Sequence, residues 1–364
     1  MYNVAIIGCG RISHKIAEGV AKNNDRMKLI VLCDPIEEKM FETERTYNKK
    51  VEKENTILKY KDYKEILEEN KVDIAIISTE SGYHEEIGLY FLENGVNLII
   101  EKPLAMSIEG AQKLVDTAKK NNLKLAASHQ NRFNYPIQLL KKAIKENRLG
   151  RIFNGMARIL WTRDDNYYLQ APWRGTWALD GGTLMNQCIH NIDLINWMMD
   201  DEIDTVYAQT SNYIRNIEAE DYGVILIRYK SGKIATIEGS AIVYPKNLEE
   251  TLTVTGEKGT VVIGGMAVNK INTWRVEGDN EQEYLSIDCG DPNSVYGYGH
   301  EALYKDFIDA LDENREPLVN GIAGLEAVKI ILAAYKSQKT GMAIKFDEFK
   351  SFSTLDMKSV KLKG

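Results

Sequence analysis

Short apolar runs alternate with stretches of helical periodicity through the first third of the chain. Val4-Ala5-Ile6-Ile7 has the length of a buried parallel strand. It leads through Gly8-Cys9-Gly10-Arg11-Ile12-Ser13 into a helical pattern that lasts to Val20. Leu29 to Cys33 repeats the strand signal. The alternation then predicts a strand over Val72 to Ser78, a helix over Gly82 to Glu93 and a strand over Val96 to Ile100, followed by a helix over Ser107 to Asn121 and a strand over Lys124 to Ser128. Repeated βα units predict a parallel, doubly wound sheet. From Arg151 the pattern changes to longer alternating runs: Ile152 to Thr162, Thr205 to Tyr213, Gly223 to Tyr229, Lys233 to Val243 and Glu250 to Val254. Turns fall at Ser231-Gly232 and Glu257-Lys258-Gly259. This predicts an α+β domain on an open, mainly antiparallel sheet with helices on one face.

The change of pattern places a boundary after residue 128, with a dinucleotide-binding domain over 1–128 and a substrate domain over 129–364. Met185 to Met199 reads as one helix on which Asn186, His190 and Asp193 share a face at i, i+4 and i+7. A helix over Glu301 to Leu311 follows, and an apolar helix over 324–336 packs back against a sheet, with the first domain as one candidate. The polar, lysine-rich tail after Phe346 reads as a short strand and a mobile end.

Composition narrows the function classes. A chain of 364 residues with 44% hydrophobic residues can fill two cores. The 46 basic and 53 acidic residues leave a net charge of −7, and like charges form no long run, so neither nucleic acid nor a membrane surface is an expected partner. The stretches KVEKENTILKYKDYKEILEEN and KKAIKENR mix both signs and read as solvated helix surface. The N-terminus shows no signal-peptide pattern and no apolar run reaches the roughly 20 residues of a membrane helix, which points to the cytoplasm. Four scattered cysteines read as reduced, and five histidines without H-x-x-x-H spacing give no zinc site, so no metal is expected.

The opening turn carries the first candidate chemistry. Gly8 permits a tight turn and Gly10 lets the backbone approach a pyrophosphate. The N–H groups that begin the helix at Arg11 and Ile12 suit the phosphates, and Ser13 stands where a third glycine is common. Asp34 ends the second strand some twenty residues on, where a carboxylate suits ribose hydroxyls and repels a 2′-phosphate, so NAD is favoured over NADP. Ligands gather beyond the carboxyl ends of parallel strands. Ser78, Thr79, Glu101, Lys102, His129 and Gln130 are therefore expected at the cofactor, with His84 close by. Lys102 reads either as a surface cation or as a group that meets substrate beside the nicotinamide. His190, after the pair Gly181-Gly182, reads either as a hydrogen-bonded structural histidine or as a catalyst. Arg163, Asp164-Asp165, Tyr167-Tyr168 and Trp173-Arg174 form a polar, aromatic loop. Arg163 there reads either as a ligand contact or as a partner of Asp164 or Asp165.

GCGRIS near the start, EKPLAMS at Glu101 to Ser107 and GGTLMNQCIHNIDL at Gly181 to Leu194, in this order, resemble the Gfo/Idh/MocA family of NAD-dependent oxidoreductases. The resemblance covers nearly the whole chain. Its EKP lysine falls on Lys102, and its D-x-x-x-H helix falls on Asn186 and His190, with asparagine where most members have aspartate. WRGTWALDGGTLMNQCIH, LTVTGEKGTVVIGG at Leu252 to Gly265 and VYGYGH at Val295 to His300 are similar to the UDP-N-acetylglucosamine and UDP-N-acetylglucosaminuronate 3-dehydrogenases of surface-polysaccharide assembly, which typically carry that asparagine. The resemblance implies that Trp173-Arg174 contact the nicotinamide end of the cofactor, that Arg163 and Tyr168 meet the diphosphate and uracil ring of such a substrate, and that the open sheet face joins copies into a homodimer or homotetramer.

Oxidising a secondary alcohol requires a base and a positive charge beside the oxygen. A lysine pKa of about 10.4 falls on burial and beside a positive ring, whereas histidine starts near 6.5. The expectation is that Lys102 and His190 share the C3 oxygen of a nucleotide sugar, with Asn186 fixing the sugar or the imidazole. A free sugar or inositol substrate, a non-catalytic NAD-binding regulator and an NAD-assisted glycosidase remain as alternatives.

Overall fold

Strand β1 (Tyr2–Ile7) is closed to solvent on both faces from Val4 onward because it lies in the middle of its sheet. This computed structural model describes residues 1–290, 297 and 299–357, and the chain divides into two compact units. One comprises Met1–His129 with His300–Leu325, the other Gln130–Gly299 with Glu326–Gly364.

In the first unit β1 is followed by α1 (Ser13–Lys22), β2 (Met27–Cys33), α2 (Glu37–Val51), β3 (Leu58–Tyr60), α3 (Ile66–Glu69), β4 (Ile74–Ile77), α4 (His84–Glu93), β5 (Asn97–Ile100), α5 (Ile108–Lys120) and β6 (Leu125–Ala127). The order β3-β2-β1-β4-β5-β6 is parallel throughout, with its direction of winding reversed between β1 and β4. The doubly wound sheet is thus as expected. The stretch from Lys50 to Asn70 is helical only at its ends, in the last residues of α2 and over Tyr63 to Glu69, and not in its middle. It holds the edge strand β3, three residues with a lysine at the centre, too short to show a period and of the charged kind that blunts a sheet edge.

The second unit opens on a 3-10 turn, Gln130–Phe133, and α6 (Tyr135–Lys145). Then come β7 (Ile152–Leu160), α7 (Asp165–Leu169), α8 (Thr183–Asn186), α9 (Ile189–Met199), β8 (Ile203–Ser211), β9 (Tyr222–Tyr229), β10 (Ile234–Ser240), β11 (Glu249–Gly256), β12 (Gly259–Gly264), β13 (Lys270–Val276) and α10 (Glu281–Leu285). The helices α11 (Gly299–Asp312) and α12 (Gly321–Thr340) and strand β14 (Ile344–Lys345) complete the element order. The eight-stranded sheet runs β13-β12-β11-β7-β10-β9-β8-β14 and is antiparallel except for the β7/β10 pair. β12 and β13 extend it beyond the strands read from the alternation. The two-residue turn Glu257-Lys258 joins β11 to β12.

Alternate residues of this sheet face α8 and α9, and the others face outward. The outward set includes Met156, Val224, Leu226 and Ile234, together with the ion-paired Arg158, Glu238 and Glu249. The second half of α12 docks along β8, where Ser337 Oγ accepts from Ala208 N at 3.0 Å and Gln338 Oε1 from Thr210 N at 2.9 Å. Its first turn lies in the first unit, and a Cβ on Gly324 would meet Ala127 Cβ at 2.6 Å.

Among the described residues no strand forms after Phe346. The nearest pairing is β14, just before it, and the tail makes a 3-10 turn at Thr354–Asp356 capped by Ser353. Residues 358–364, expected as a mobile end, lie outside the described residues, as do Val295, Tyr296 and Tyr298 of the 295–300 motif.

Candidate active site

The cofactor turn of the first unit is built on two glycines with different tasks. Gly8 has φ +92°, and a Cβ there would lie 2.6 Å from Ser78 C, Ser78 O and Thr79 N, so the turn is pressed against the end of β4. Around Gly10 a Cβ would meet no atom of the described residues within 4 Å, which leaves the room a pyrophosphate needs. Ser13 is buried in place of the third glycine. Its Oγ donates to Gly10 O at 2.7 Å and lies 2.8 Å from Thr43 Oγ1, tying the turn to α2. Ile12 precedes α1 without a side-chain cap, and Arg11 beside it is exposed.

Asp34, 6% exposed, accepts from Cys9 N at 2.8 Å and from Ile36 N at 2.9 Å, one bond to each oxygen. A carboxylate has about four acceptor positions, so two such bonds leave capacity for ribose hydroxyls. Ser78 Oγ donates to Gly8 O at 2.7 Å and Thr79 Oγ1 to Glu80 O at 3.3 Å. His84 is fully buried between two carbonyls, Pro103 O 2.8 Å from Nδ1 and Thr79 O 3.2 Å from Nε2, so its ring braces the β4 and β5 loops. Burial, opposed by the two carbonyls, lowers its pKa.

Glu101 directly follows β5 and is buried, with Oε1 3.6 Å from His300 Nε2. Burial alone would raise its pKa, but His300, Ser128 and Lys102 outweigh burial and hold it below the ordinary carboxylate range. Lys102 follows, half-buried, in a cis bond to Pro103.

In the second unit the expected single helix over 185–199 is two helices. Cys188 N reaches back five residues to Thr183 O at 3.0 Å, a wide turn that inserts one residue between α8 and α9. The insertion changes the angle of Asn186 relative to α9, while Asp193, three residues after His190 on α9 and about 60° round its axis, faces the interior. Asp193 is 2% exposed and takes a bidentate ion pair from Arg132, at 2.7 Å from Nε and 2.6 Å from Nη2. From Gly181 to His190 only Asn186 and His190 are not buried. Asn186 Nδ2 donates to Asp180 Oδ1, and Asp180 Oδ2 accepts from Gly175 N at 2.7 Å. Asp193→Asn would keep the shape and strand a buried guanidinium without its anion. The expected cost is about 3–5 kcal/mol, read as a fall of several degrees in the melting temperature.

The glycine pair before α8 is explained by a carboxylate that the sequence did not single out. Gly181 has φ +76°, and a Cβ on Gly182 would overlap the carboxylate of buried Glu220, whose Oε1 accepts from Leu184 N at 2.8 Å and Tyr335 Oη at 3.0 Å. Burial pushes the Glu220 pKa up to about 8 despite these bonds. The unfolded chain ionises near 4.5, so the stability that Glu220 contributes is complete below that pH and is lost as pH rises through about 8. Glu220→Gln removes the titration. The melting temperature of the variant should fall less between pH 5 and 8 than that of the parent chain, and an equal fall would assign the pH dependence elsewhere.

The loop from Trp161 to Arg174 stacks cations on rings. The Arg163 guanidinium lies 4.7 Å from the Trp161 ring centre and 5.3 Å from that of Tyr167, and Arg174 lies 4.2 Å from Tyr167 and 5.5 Å from Trp173. Arg163 donates to Thr162 O at 2.7 Å and pairs with neither neighbouring aspartate. Asp164 caps α7 through Tyr167 N, and Asp165 lies 3.6 Å from Arg215. Arg174 donates to Tyr167 O at 2.6 Å, and its Nε is buried with no partner among the described residues, a donor with capacity for a ligand. Tyr168 is half-buried, and burial, then Tyr167 and Asp180, raise its pKa, so the phenol stays a donor. Gln130 is buried, with Oε1 lacking a partner among the described residues.

The pattern described as an oxidoreductase family NAD-binding Rossmann fold matches residues 2–129, and the one described as an oxidoreductase family C-terminal alpha/beta domain matches residues 141–346. Among solved structures, the WlbA dehydrogenase from Bordetella pertussis in complex with NADH and UDP-GlcNAcA is 33% identical. That likeness covers 94% of this chain and 97% of the other, with a TM-score of 0.86. The WlbA dehydrogenase from Chromobacterium violaceum, also in complex with NADH and UDP-GlcNAcA, is 32% identical over 94% of this chain and 95% of the other, with a TM-score of 0.84. Among curated proteins, the myo-inositol 2-dehydrogenase of Thermotoga maritima is 25% identical over 95% of this chain and 98% of its own length.

Proposed function

Because the chain belongs to the Gfo/Idh/MocA family and is an NAD-dependent oxidoreductase acting on a CH–OH group, we propose that it oxidises the C3 hydroxyl of a UDP-linked N-acetylated amino sugar, UDP-N-acetylglucosaminuronate or UDP-N-acetylglucosamine, to the 3-keto sugar. The observation that carries the substrate is the likeness at 33% and 32% identity to two dehydrogenases whose structures hold UDP-GlcNAcA. Asn186 before His190 supports the same reading, and so do the arginines 163 and 174, stacked on rings in a way suited to a diphosphate. The product serves surface-polysaccharide biosynthesis in the cytoplasm.

Bound NAD supplies the two-electron acceptor. Gly8, Gly10, Arg11 and Ile12 receive its pyrophosphate and Asp34 a ribose. Ser78, Thr79, His84, Glu101, Gln130, Trp173 and Arg174 shape the rest of its site. Lys102 and His190 serve the reacting oxygen, one removing its proton and the other holding it by a hydrogen bond. Asn186 orients the sugar, with Arg163 and Tyr168 on the nucleotide. The outward face of the eight-stranded sheet, with Met156, Val224, Leu226 and Ile234 on it, joins copies into a homodimer or homotetramer.

A free polyol is the second reading, favoured by the inositol dehydrogenase among the curated relatives. Mass spectrometry separates the two. Each UDP sugar, and myo-inositol in parallel, is incubated with the protein, NAD, a 2-oxo acid and a dehydrogenase that recycles NADH. Loss of two hydrogens from a UDP sugar is expected. Oxidation of inositol alone would overturn the nucleotide-sugar reading, and no oxidation at all with NAD bound would point to a binding protein.

A further inference from the structure

Asp180 lies one residue before the glycine pair and is 2% exposed. An ionised carboxylate only accepts hydrogen bonds. With Oδ2 on Gly175 N at 2.7 Å and Oδ1 on the Asn186 side chain, Asp180 forces the amide nitrogen of Asn186 toward itself and turns the amide oxygen away. The carboxylate is itself held in place. Asp180 N and Gly181 N both donate to Thr176 O, at 3.1 and 2.8 Å, and Gly175 O accepts from Glu218 N and Ala219 N at 3.1 Å each. An asparagine in a less defined setting can present either end of its amide. Here Asn186 Nδ2 donates to Asp180 while Asn186 Oδ1 accepts from Gln187 Nε2 at 3.4 Å, and both contacts favour the same orientation.

We infer that Asp180 is the positioning residue of this site: it sets Asn186 so that a carbonyl oxygen, a hydrogen-bond acceptor, is offered to a hydroxyl or acetamido N–H of the substrate. The inference rests on the proposed role of Asn186 in orienting the sugar. It also accounts for an asparagine where a carboxylate is common in the family. The acceptor at 186 is kept while the negative charge sits one step back, on a residue closed to solvent. Two carboxylates at 180 and 186 would have to share a proton.

Three variants test this, with turnover of the UDP sugar by the parent chain as the control for the substrate reading and NAD affinity as the control for the fold. Asp180→Asn can still accept from Gly175 N, but its amide nitrogen then faces residue 186 and makes Asn186 flip. The expectation is a fall in kcat of roughly 10- to 100-fold with NAD affinity within about twofold. The double variant Asp180→Asn, Asn186→Asp restores the donor–acceptor polarity with the charge moved outward and should recover to within about tenfold of the parent. Asn186→Asp alone should retain activity at low pH and lose it as pH rises, with an ionisation in kcat/KM above the ordinary carboxylate range. Parent-like turnover by Asp180→Asn, or a double variant no faster than that single one, overturns the inference. Should Asp180→Asn not fold, the pH profile of Asn186→Asp decides, and one without the new ionisation overturns it. A parent chain that oxidises no UDP sugar counts against the proposed function instead.

Discussion

Alanine in place of Lys102 is expected to lower kcat by about three orders of magnitude while NAD affinity stays within a few fold. The size follows from general acid–base assistance, worth about 10²–10⁴. The selectivity follows from what holds the loop. Glu101 N donates to Ile77 O at 2.8 Å, and Pro103 O faces His84 Nδ1 at 2.8 Å, so the backbone around residue 102 is braced by its neighbours. Removing the amine therefore removes chemistry and leaves the cofactor turn intact. Lys102→Arg separates the two roles: it should be nearly as slow where the lysine removes the proton, because a guanidinium does not give up its own, and much faster where the lysine only holds the oxygen by a hydrogen bond. Single-turnover kinetics with the UDP sugar and a separate titration of NAD read the two effects. A Lys102→Ala protein with most of its rate would remove the lysine from the reaction.

Gly8→Ala is expected to lower NAD affinity by about 100-fold or more and to destabilise the first unit even without cofactor. Its φ of +92° costs a side chain about 1–2 kcal/mol, and the new Cβ would lie 2.6 Å from three backbone atoms that cannot swing aside. The turn must open, and with it the surface that meets the pyrophosphate. Gly10→Ala supplies the contrast, since a Cβ there meets no atom of the described residues within 4 Å. That variant should melt like the parent without NAD and lose only the stabilisation that bound NAD provides. Melting curves with and without NAD separate the two glycines. Equal behaviour of both variants without NAD would contradict the packing argument at Gly8.

The first sheet was legible because its central strands are apolar on both faces, as at Ile74 to Ile77, and each is set off by a turn. β3 was hidden because three residues around Lys59 carry no period. In the second unit the alternation showed where strands lie, but not that β7 and β10 run parallel, a matter of pairing across the long connection between them. The wide turn at Cys188 had no sequence signal, since no glycine or proline marks it. Asp193 left the expected polar face for a different reason: it follows His190 by three residues on α9, about 60° round the axis, and Arg132, 61 residues back in the chain, holds it in the interior. Glu220 and Tyr335 escaped for another reason: their partners are far along the chain, and local periodicity carries no information about such pairs. Of the substrate-side candidates, Asn186 was visible as a motif position, whereas the carboxylate that turns it was visible only in space.

The order of synthesis differs from the order of assembly in this chain. Residues 1–129 emerge first and hold all six strands of their sheet, yet their unit includes 300–325, which emerge only after 130–299 have been made. Until then Gly19 lacks the Tyr304 ring that fills the space beside it, and Arg26 lacks the carboxylates of Asp309 and Asp312, each 2.5 Å away in the finished fold. The nucleotide-binding half therefore waits, nearly complete and missing one helix, while the ribosome builds the other half in between.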